Sequence, residues 1–138
     1  MPSERRDRSS TPLPRKLGIR EGSRVLVSAA PDGFDLGQLP PAAELLRRST
    51  APVDVALLFV TTASELRRRF ATARRALAVD GRLWVAWPKK ASSLATDLDF
   101  DTVQRTGLQA GLVDNKSASI TDDFQGLQFV VRLRDRRR

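Results

Sequence analysis

The sequence contains no cysteine, no histidine and no tyrosine. These absences exclude disulfides, thiolate and imidazole metal sites, Ser-His-Asp triads, thiol nucleophiles and proton transfer by tyrosine. Any catalysis would have to use Asp, Glu, Lys, Arg, Ser, Thr or backbone groups. We predict no catalytic residue, no metal site and no cofactor, and we favour a non-enzymatic protein over an enzyme.

Long apolar runs are also missing. The longest uncharged apolar run, residues 55–64, is shorter than the ~20 residues that a membrane-spanning helix needs. The first residues lack the apolar segment of a signal peptide. We therefore expect a cytoplasmic protein without a membrane partner. A chain of 138 residues that is 41% hydrophobic and 29% charged has the composition of one globular domain.

The net charge of +8 is concentrated at the two ends. Residues 1–24 and residues 132–138 each carry a net charge of +4, whereas residues 25–131 carry twelve charges of each sign. We predict a disordered basic arm over residues 1–14, a single α/β domain over residues 15–133 and a basic tail over residues 134–138. The Arg-rich ends either bind nucleic acid without sequence preference or only keep the chain soluble.

Hydrophobic periodicity predicts alternating strands and helices. Apolar runs predict strands at residues 24–29, 53–60 and 82–87, and two further runs at residues 112–121 and 127–133 form a hairpin. Pro40-Pro41 opens a predicted helix that ends near Arg48. The order indicates an α/β, three-layer Rossmann-like fold with a mostly parallel five-stranded sheet and a C-terminal antiparallel hairpin.

Two longer helices have recognisable starts. Thr62 to Glu65 has the pattern of a capping box, and an apolar stripe at residues 66, 70, 73 and 77 follows it. Asp80-Gly81 ends that predicted helix. Thr96-Asp97 is the predicted cap of the next helix, which Gly111 ends.

Polar and charged side chains follow the predicted parallel strands, where open α/β sheets bind ligands. Ammonium groups beside hydroxyls suit a phosphate or another anion. The alternative interpretation is structural, with the aspartate in a turn, a threonine capping a helix and the lysines in a solvated loop. The predicted ligand-binding residues are Asp32, Thr61, Thr62, Lys89, Lys90 and Ser92.

Five arginines crowd the helix that follows Thr62, namely Arg67, Arg68, Arg69, Arg74 and Arg75. They form either a solvated face or a face that contacts phosphates. Trp84 and Trp87 are three residues apart on a predicted strand and should point to opposite faces. We expect Trp84 in the core; Trp87 either packs or borders a ligand.

Several short motifs resemble a family of short bacterial proteins known only as a domain of unknown function. These motifs are residues 17–22 (LGIREG), 87–90 (WPKK), 96–98 (TDL), 111–116 (GLVDNK) and 127–130 (LQFV). This family has a Trp where the chain has Phe124. The resemblance implies a Rossmann-like fold and no particular chemistry.

The element order and the run at residues 77–83 (LAVDGRL) also resemble the later half of class I S-adenosylmethionine-dependent methyltransferases, over residues 23–133. Such a fold has a Gly-rich turn after its first strand and an acidic residue after its second. This chain has Ala29-Ala30-Pro31 at the turn, and only 21 residues separate Ala30 from Pro52. We therefore expect the first strand to be a sheet edge and S-adenosylmethionine not to bind more tightly than millimolar.

Two functions remain open at this point. The first is a small non-enzymatic domain that acts through protein or nucleic-acid contact, with a possible homodimer through the edge strand. The alternative is a reduced methyltransferase-like binder of a nucleotide or another anionic ligand.

Overall fold

The computed structural model describes residues 11–48 and 52–136. Within these ranges it contains six strands, three α-helices and one 3-10 turn at Leu133–Asp135. The strands are β1 (Arg24–Ser28), β2 (Glu44–Leu46), β3 (Val53–Phe59), β4 (Leu77–Pro88), β5 (Leu112–Ser119) and β6 (Phe124–Val131). The helices are α1 (Leu13–Leu17), α2 (Ala63–Ala76) and α3 (Phe100–Gln109).

The six strands form one sheet in the order β2-β1-β3-β4-β6-β5. The first four strands of this order are parallel, whereas β6 is antiparallel to both β4 and β5. The predicted fold class is confirmed, as a Rossmann-like, mostly parallel sheet with a C-terminal antiparallel hairpin. The sheet has six strands rather than the predicted five.

The additional strand replaces the helix predicted after Pro40-Pro41, so that prediction is wrong. The amide of Ala43 donates to the carbonyl of Pro40 at 3.2 Å, and Ala42 has φ +63°. Proline followed by a positive φ is the geometry of a type II turn, which does not propagate into a helix. The chain then pairs with β1 as β2.

Because β2 pairs with β1, the expectation that β1 is a sheet edge is also wrong. In the described ranges the outer strands are β2 and β5. The homodimer through an edge strand stays a prediction, and its contact would now involve one of these two strands.

Two predicted helix boundaries differ from the structure. Helix α2 ends at Ala76, and Leu77 pairs with Val53 as the start of β4. Strand pairing therefore overrides the apolar stripe that would have carried the helix to Asp80-Gly81. Helix α3 begins at Phe100, because Asp99 rather than Thr96-Asp97 accepts the capping hydrogen bond, from the amide of Thr102 at 2.8 Å.

Each face of the sheet has its own core. On one face α2 and α3 cover apolar residues of β3, β4 and β6, including Leu58, Val85 and Trp87. On the other face α1 and residues 29–43 cover Leu57 and Trp84. The two tryptophans lie on opposite faces as predicted, and both are buried. Trp87 therefore packs in the core.

The first element begins inside the segment predicted as a disordered arm. Leu13 and Pro14 belong to α1, and Pro14 and Leu17 are buried. The predicted boundary at residue 14 is therefore too late, while residues 1–10 of the arm lie outside the described residues. At the other end, part of the predicted tail forms the 3-10 turn.

Of the helices in the described ranges, none has the length and apolar character needed to cross a membrane.

Candidate functional site

Strand β2 creates a reversal in the strand order. The chain passes from β1 to β2 on one side of β1, and then to β3 on its other side. Ligands of open α/β sheets bind outside the carboxyl ends of the strands at such a reversal. The carboxyl ends of β1 and β3 are therefore the place in this fold where a ligand site is expected.

A cavity of about 520 Å³ lies beside these strand ends. Its apolar wall comes from Leu26 and Val27 of β1, Leu58 of β3 and Ala73 of α2. Its polar part comes from Ser28, Thr72 and four arginines. This volume lies within the range of small-ligand sites.

The four arginines come from two separate parts of the chain. Arg47 and Arg48 directly follow β2, and Arg68 and Arg69 lie on α2. No Asp or Glu of the described residues lines the cavity with them. We call these four residues the arginine cluster. Guanidinium groups bind carboxylates and phosphates through charge-assisted, often bidentate hydrogen bonds.

Arg69 is held more firmly than the other three. Its Nη1 donates to the carbonyl of Phe59 at 3.0 Å and lies 3.6 Å from Oε1 of Glu65. Arg47, Arg48 and Arg68 are exposed and form no ion pair within residues 11–48 and 52–136. Their positive charges are therefore available to an anion from solution.

The start of α2 confirms the predicted capping pattern in a modified form. Thr62 Oγ1 accepts from the amide of Glu65 at 3.1 Å, and the Glu65 carboxylate accepts from the amide of Thr61 at 2.9 Å. The hydrogen bond from Thr61, together with the positive charge of Arg69, lowers the pKa of Glu65 below its ordinary value, against a smaller opposing effect of desolvation. Glu65 thus stays ionised and orients Arg69.

The loop after β4 provides a second cap for α2. Asp97 accepts from the amide of Ala63 at 2.9 Å, and Thr96 Oγ1 donates to the carbonyl of Thr61 at 2.6 Å. The sequence predicts that Asp97 caps α3, the helix that follows it. In the structure Asp97 instead caps α2, the helix that precedes it in the chain. This contact occupies the end of β3 and fixes the position of α2 against it.

The predicted ligand-binding residues lie outside the cavity. Thr61 and Thr62 serve the helix start described above. Lys89 Nζ donates to Ser119 Oγ at 2.8 Å, and Ser92 Oγ donates to the Asp123 carboxylate at 3.1 Å. Asp32 and Lys90 are exposed, Asp32 in the turn after β1. Ligand binding by these six residues stays a prediction.

The backbone at the end of β1 has an unusual conformation. Ala29, which lines the cavity, has φ +59°. A non-glycine residue in this left-handed region is strained, and such residues cluster at functional sites.

Elsewhere in the described ranges, no group of three or more Asp and Glu side chains is arranged to hold a metal ion.

Several solved structures with a similar fold are S-adenosylmethionine-dependent methyltransferases. A SAM-dependent methyltransferase from Aquifex aeolicus matches with a TM-score of 0.58 and 12% identity, over 86% of this chain and 87% of the other. Magnesium protoporphyrin IX methyltransferase from Synechocystis PCC 6803, solved with bound SAH, matches with a TM-score of 0.56 and 9% identity, over 94% and 84%.

A TehB-like SAM-dependent methyltransferase from Corynebacterium glutamicum matches with a TM-score of 0.52 and 14% identity, over 81% and 82% of the two chains. No protein-family model and no curated protein sequence matches the chain. At these identities the structural likeness establishes the fold alone.

The residues of the cavity do not fit S-adenosylmethionine. This cofactor carries a sulfonium, an ammonium and one carboxylate, so its net charge is positive. The arginine cluster would repel the sulfonium, and two arginines follow β2 where a carboxylate would hold the ribose hydroxyls. The chain therefore has the fold of class I S-adenosylmethionine-dependent methyltransferases and, at the strand ends, residues suited to an anion.

Sequence reasoning identified half of the arginine cluster. The density of arginine on α2 was a visible signal, with phosphate contact as one of its two interpretations. Arg47 and Arg48 were missed because they were assigned to the end of a helix that does not form. A short strand followed directly by two basic residues would have been the signal for them.

Proposed function

We propose that this chain is a methyltransferase-fold domain that binds a phosphate-bearing ligand in the cavity of the arginine cluster and does not transfer methyl groups. The observation that carries the proposal is the presence of four arginines, and of no Asp or Glu among the described residues, in the lining of one cavity at the strand-order reversal. The likeness to methyltransferase structures supports the location of the site.

The expected affinity follows from the type of contact. A hydrogen bond to a charged group contributes roughly 1.5–3 kcal/mol. Two or three such bonds from Arg47, Arg48 and Arg68 sum to roughly 3–9 kcal/mol, which corresponds to dissociation constants from several millimolar to below about 1 μM. Binding should weaken as salt concentration rises, because the guanidinium groups are exposed.

The test is calorimetric titration of the full chain with inorganic pyrophosphate. The variant Arg47→Gln/Arg68→Gln should weaken binding at least about tenfold, since it removes one or more charge-assisted hydrogen bonds. The matched control is Arg67→Gln/Arg75→Gln, which removes the same charge from exposed positions of α2 outside the cavity lining.

The control should bind within about twofold of the original chain, because it changes only long-range electrostatics. Equal losses in the two variants would show a diffuse effect of net charge and overturn the proposed site. If the original chain binds neither pyrophosphate nor a phosphorylated nucleotide, the proposed function is overturned. Micromolar binding of S-adenosylmethionine would also contradict it.

A further inference from the structure

The position of the arginine pair after β2 bears on which phosphate-bearing ligand the cavity accepts. In nucleotide-binding α/β folds, an acidic residue near the end of the second strand bonds the ribose hydroxyls, and an arginine there accommodates a phosphate on the ribose. Here Leu46, the last residue of β2, is paired with Leu26 of β1. Arg47 and Arg48 follow at once, beside the end of β1.

A second positive group lines the cavity from a different element of the fold. Arg68 lies on α2, and Thr72 one turn later donates its hydroxyl to the Arg68 carbonyl at 3.3 Å. Leu26, Leu58 and Ala73 form an apolar surface that contributes to the same cavity. The cavity thus combines two sources of positive charge, from different elements, with apolar surface.

We infer that the ligand is a nucleotide with one phosphate on its ribose 2′ or 3′ oxygen and a second on the 5′ oxygen. In this arrangement Arg47 and Arg48 bind the ribose phosphate, Arg68 binds the 5′-phosphate, and the apolar surface contacts the base. The inference rests on the proposed function and adds the substrate class to it.

The arrangement distinguishes two ligands that carry the same number of phosphates. ADP places both phosphates on one side of the ribose, whereas adenosine 3′,5′-bisphosphate and adenosine 2′,5′-bisphosphate separate them. If Arg47 with Arg48 and Arg68 act as two subsites, at least one bisphosphate should bind at least about tenfold more tightly than ADP, because it places a phosphate at each subsite.

The experiment titrates the full chain with pyrophosphate, ADP and the two bisphosphates. The variant Arg47→Gln/Arg48→Gln should bring the bisphosphate to the affinity of ADP. Arg68→Gln should weaken the binding of both nucleotides, and the control Arg67→Gln/Arg75→Gln should change neither. Phosphorus NMR supplies a second measurement, since the ribose-phosphate resonance should shift on binding and not do so with the Arg47→Gln/Arg48→Gln variant.

The outcomes separate the inference from the function on which it rests. If pyrophosphate binds at the arginine cluster but ADP and the bisphosphates have equal affinity, the inference is overturned and the proposed function stands. If none of the four ligands binds, both are overturned. Circular dichroism melting of each variant checks folding, and because Arg47, Arg48 and Arg68 are exposed, we expect the melting temperatures to match.

Discussion

The indole Nε1 of Trp84 donates a hydrogen bond to the backbone carbonyl of Leu17, with 3.1 Å between the two atoms. Trp84 lies in β4 and is fully buried, and Leu17 is the last residue of α1. This contact joins the first described helix to a central strand 67 residues later in the chain. It anchors α1 on the sheet face opposite α2.

Two substitutions of Trp84 should distinguish the stability that its hydrogen bond contributes from the stability that its packing contributes. Trp84→Phe removes the donor and should cost about 1–3 kcal/mol, because the buried carbonyl of Leu17 loses its partner. Trp84→Ala should cost about 3–5 kcal/mol through the cavity that it leaves. Urea denaturation measures both, with Trp87→Phe on the opposite face as the control. A larger cost for Trp87→Phe than for Trp84→Phe would contradict this role of the hydrogen bond.

Gly107 should resist replacement although it lies within α3. Alanine favours a helix over glycine by about 1 kcal/mol, but a Cβ at Gly107 would overlap the ring of Phe129. That ring is fully buried and packs edge-on against Phe70 at 5.6 Å between centroids. Overpacking of this kind costs about 1–3 kcal/mol, so Gly107→Ala should destabilise the protein.

The comparison for Gly107 is Gln109→Ala, at an exposed position of the same helix. This control should change the unfolding free energy by no more than about 0.5 kcal/mol. Thermal and urea unfolding give the two values. A stabilised Gly107→Ala variant would mean that the contact between α3 and β6 is looser than the structure indicates.

Glu65 should make stability depend on pH in the acid range. Its hydrogen bonds and the charge of Arg69 lower its pKa in the folded state below the ordinary 4.5. The unfolded chain therefore binds the proton more readily, so the contribution of Glu65 is present above pH 4.5 and disappears as pH falls through the lower folded value. Asp99 acts in the same direction below 3.8, because the amide of Thr102 donates to its carboxylate.

The variant Glu65→Gln should flatten the decline of stability below pH 4.5. Urea midpoints at about pH 3 and about pH 6 measure this decline. Glu21→Gln, which removes a negative charge from an exposed position, controls for the change in net charge. If Glu65→Gln leaves the decline of stability with falling pH unchanged, the hydrogen bonds of Glu65 at the start of α2 do not lower its pKa in the folded state.

Nucleic-acid binding through the basic ends stays a prediction, and the structure improves its test. Deleting residues 1–16 would remove most of α1 with its buried Pro14, so substitution is the cleaner change. The variant replaces with Gln the five arginines at the ends outside the described residues, namely Arg5, Arg6, Arg8, Arg137 and Arg138.

On duplex DNA, each lost phosphate contact should reduce the slope of log affinity against log salt by about 0.9. If all five arginines contact phosphates, the variant should reduce the slope by about 4.5 and weaken binding accordingly. The variant Arg47→Gln/Arg68→Gln is the comparison, and it should leave DNA binding nearly unchanged. The reverse pattern would place any DNA contact at the arginine cluster instead of the ends.

The elements that the sequence predicted correctly are those with a strong local pattern. Strand β3 is an apolar run buried on both faces, and α2 combines a capping threonine with an apolar stripe. Gly111 ends α3 with φ +86°, a conformation that glycine adopts without strain. Such signals need only neighbouring residues, so they can be read before the tertiary structure is known.

Only the tertiary structure decided β2 and the arginine cluster. Glu44–Leu46 is three residues long and does not show the alternation of apolar and polar residues that identifies a strand. It becomes a strand because β1 offers unpaired backbone groups beside it. Leu77 likewise leaves the helical stripe because it pairs with Val53. Arg47 and Arg68 are 21 positions apart, and the packing of α2 beside β1 and β3 brings them to one cavity. Long-range strand pairing and packing, which no local pattern encodes, thus placed these charges at one cavity.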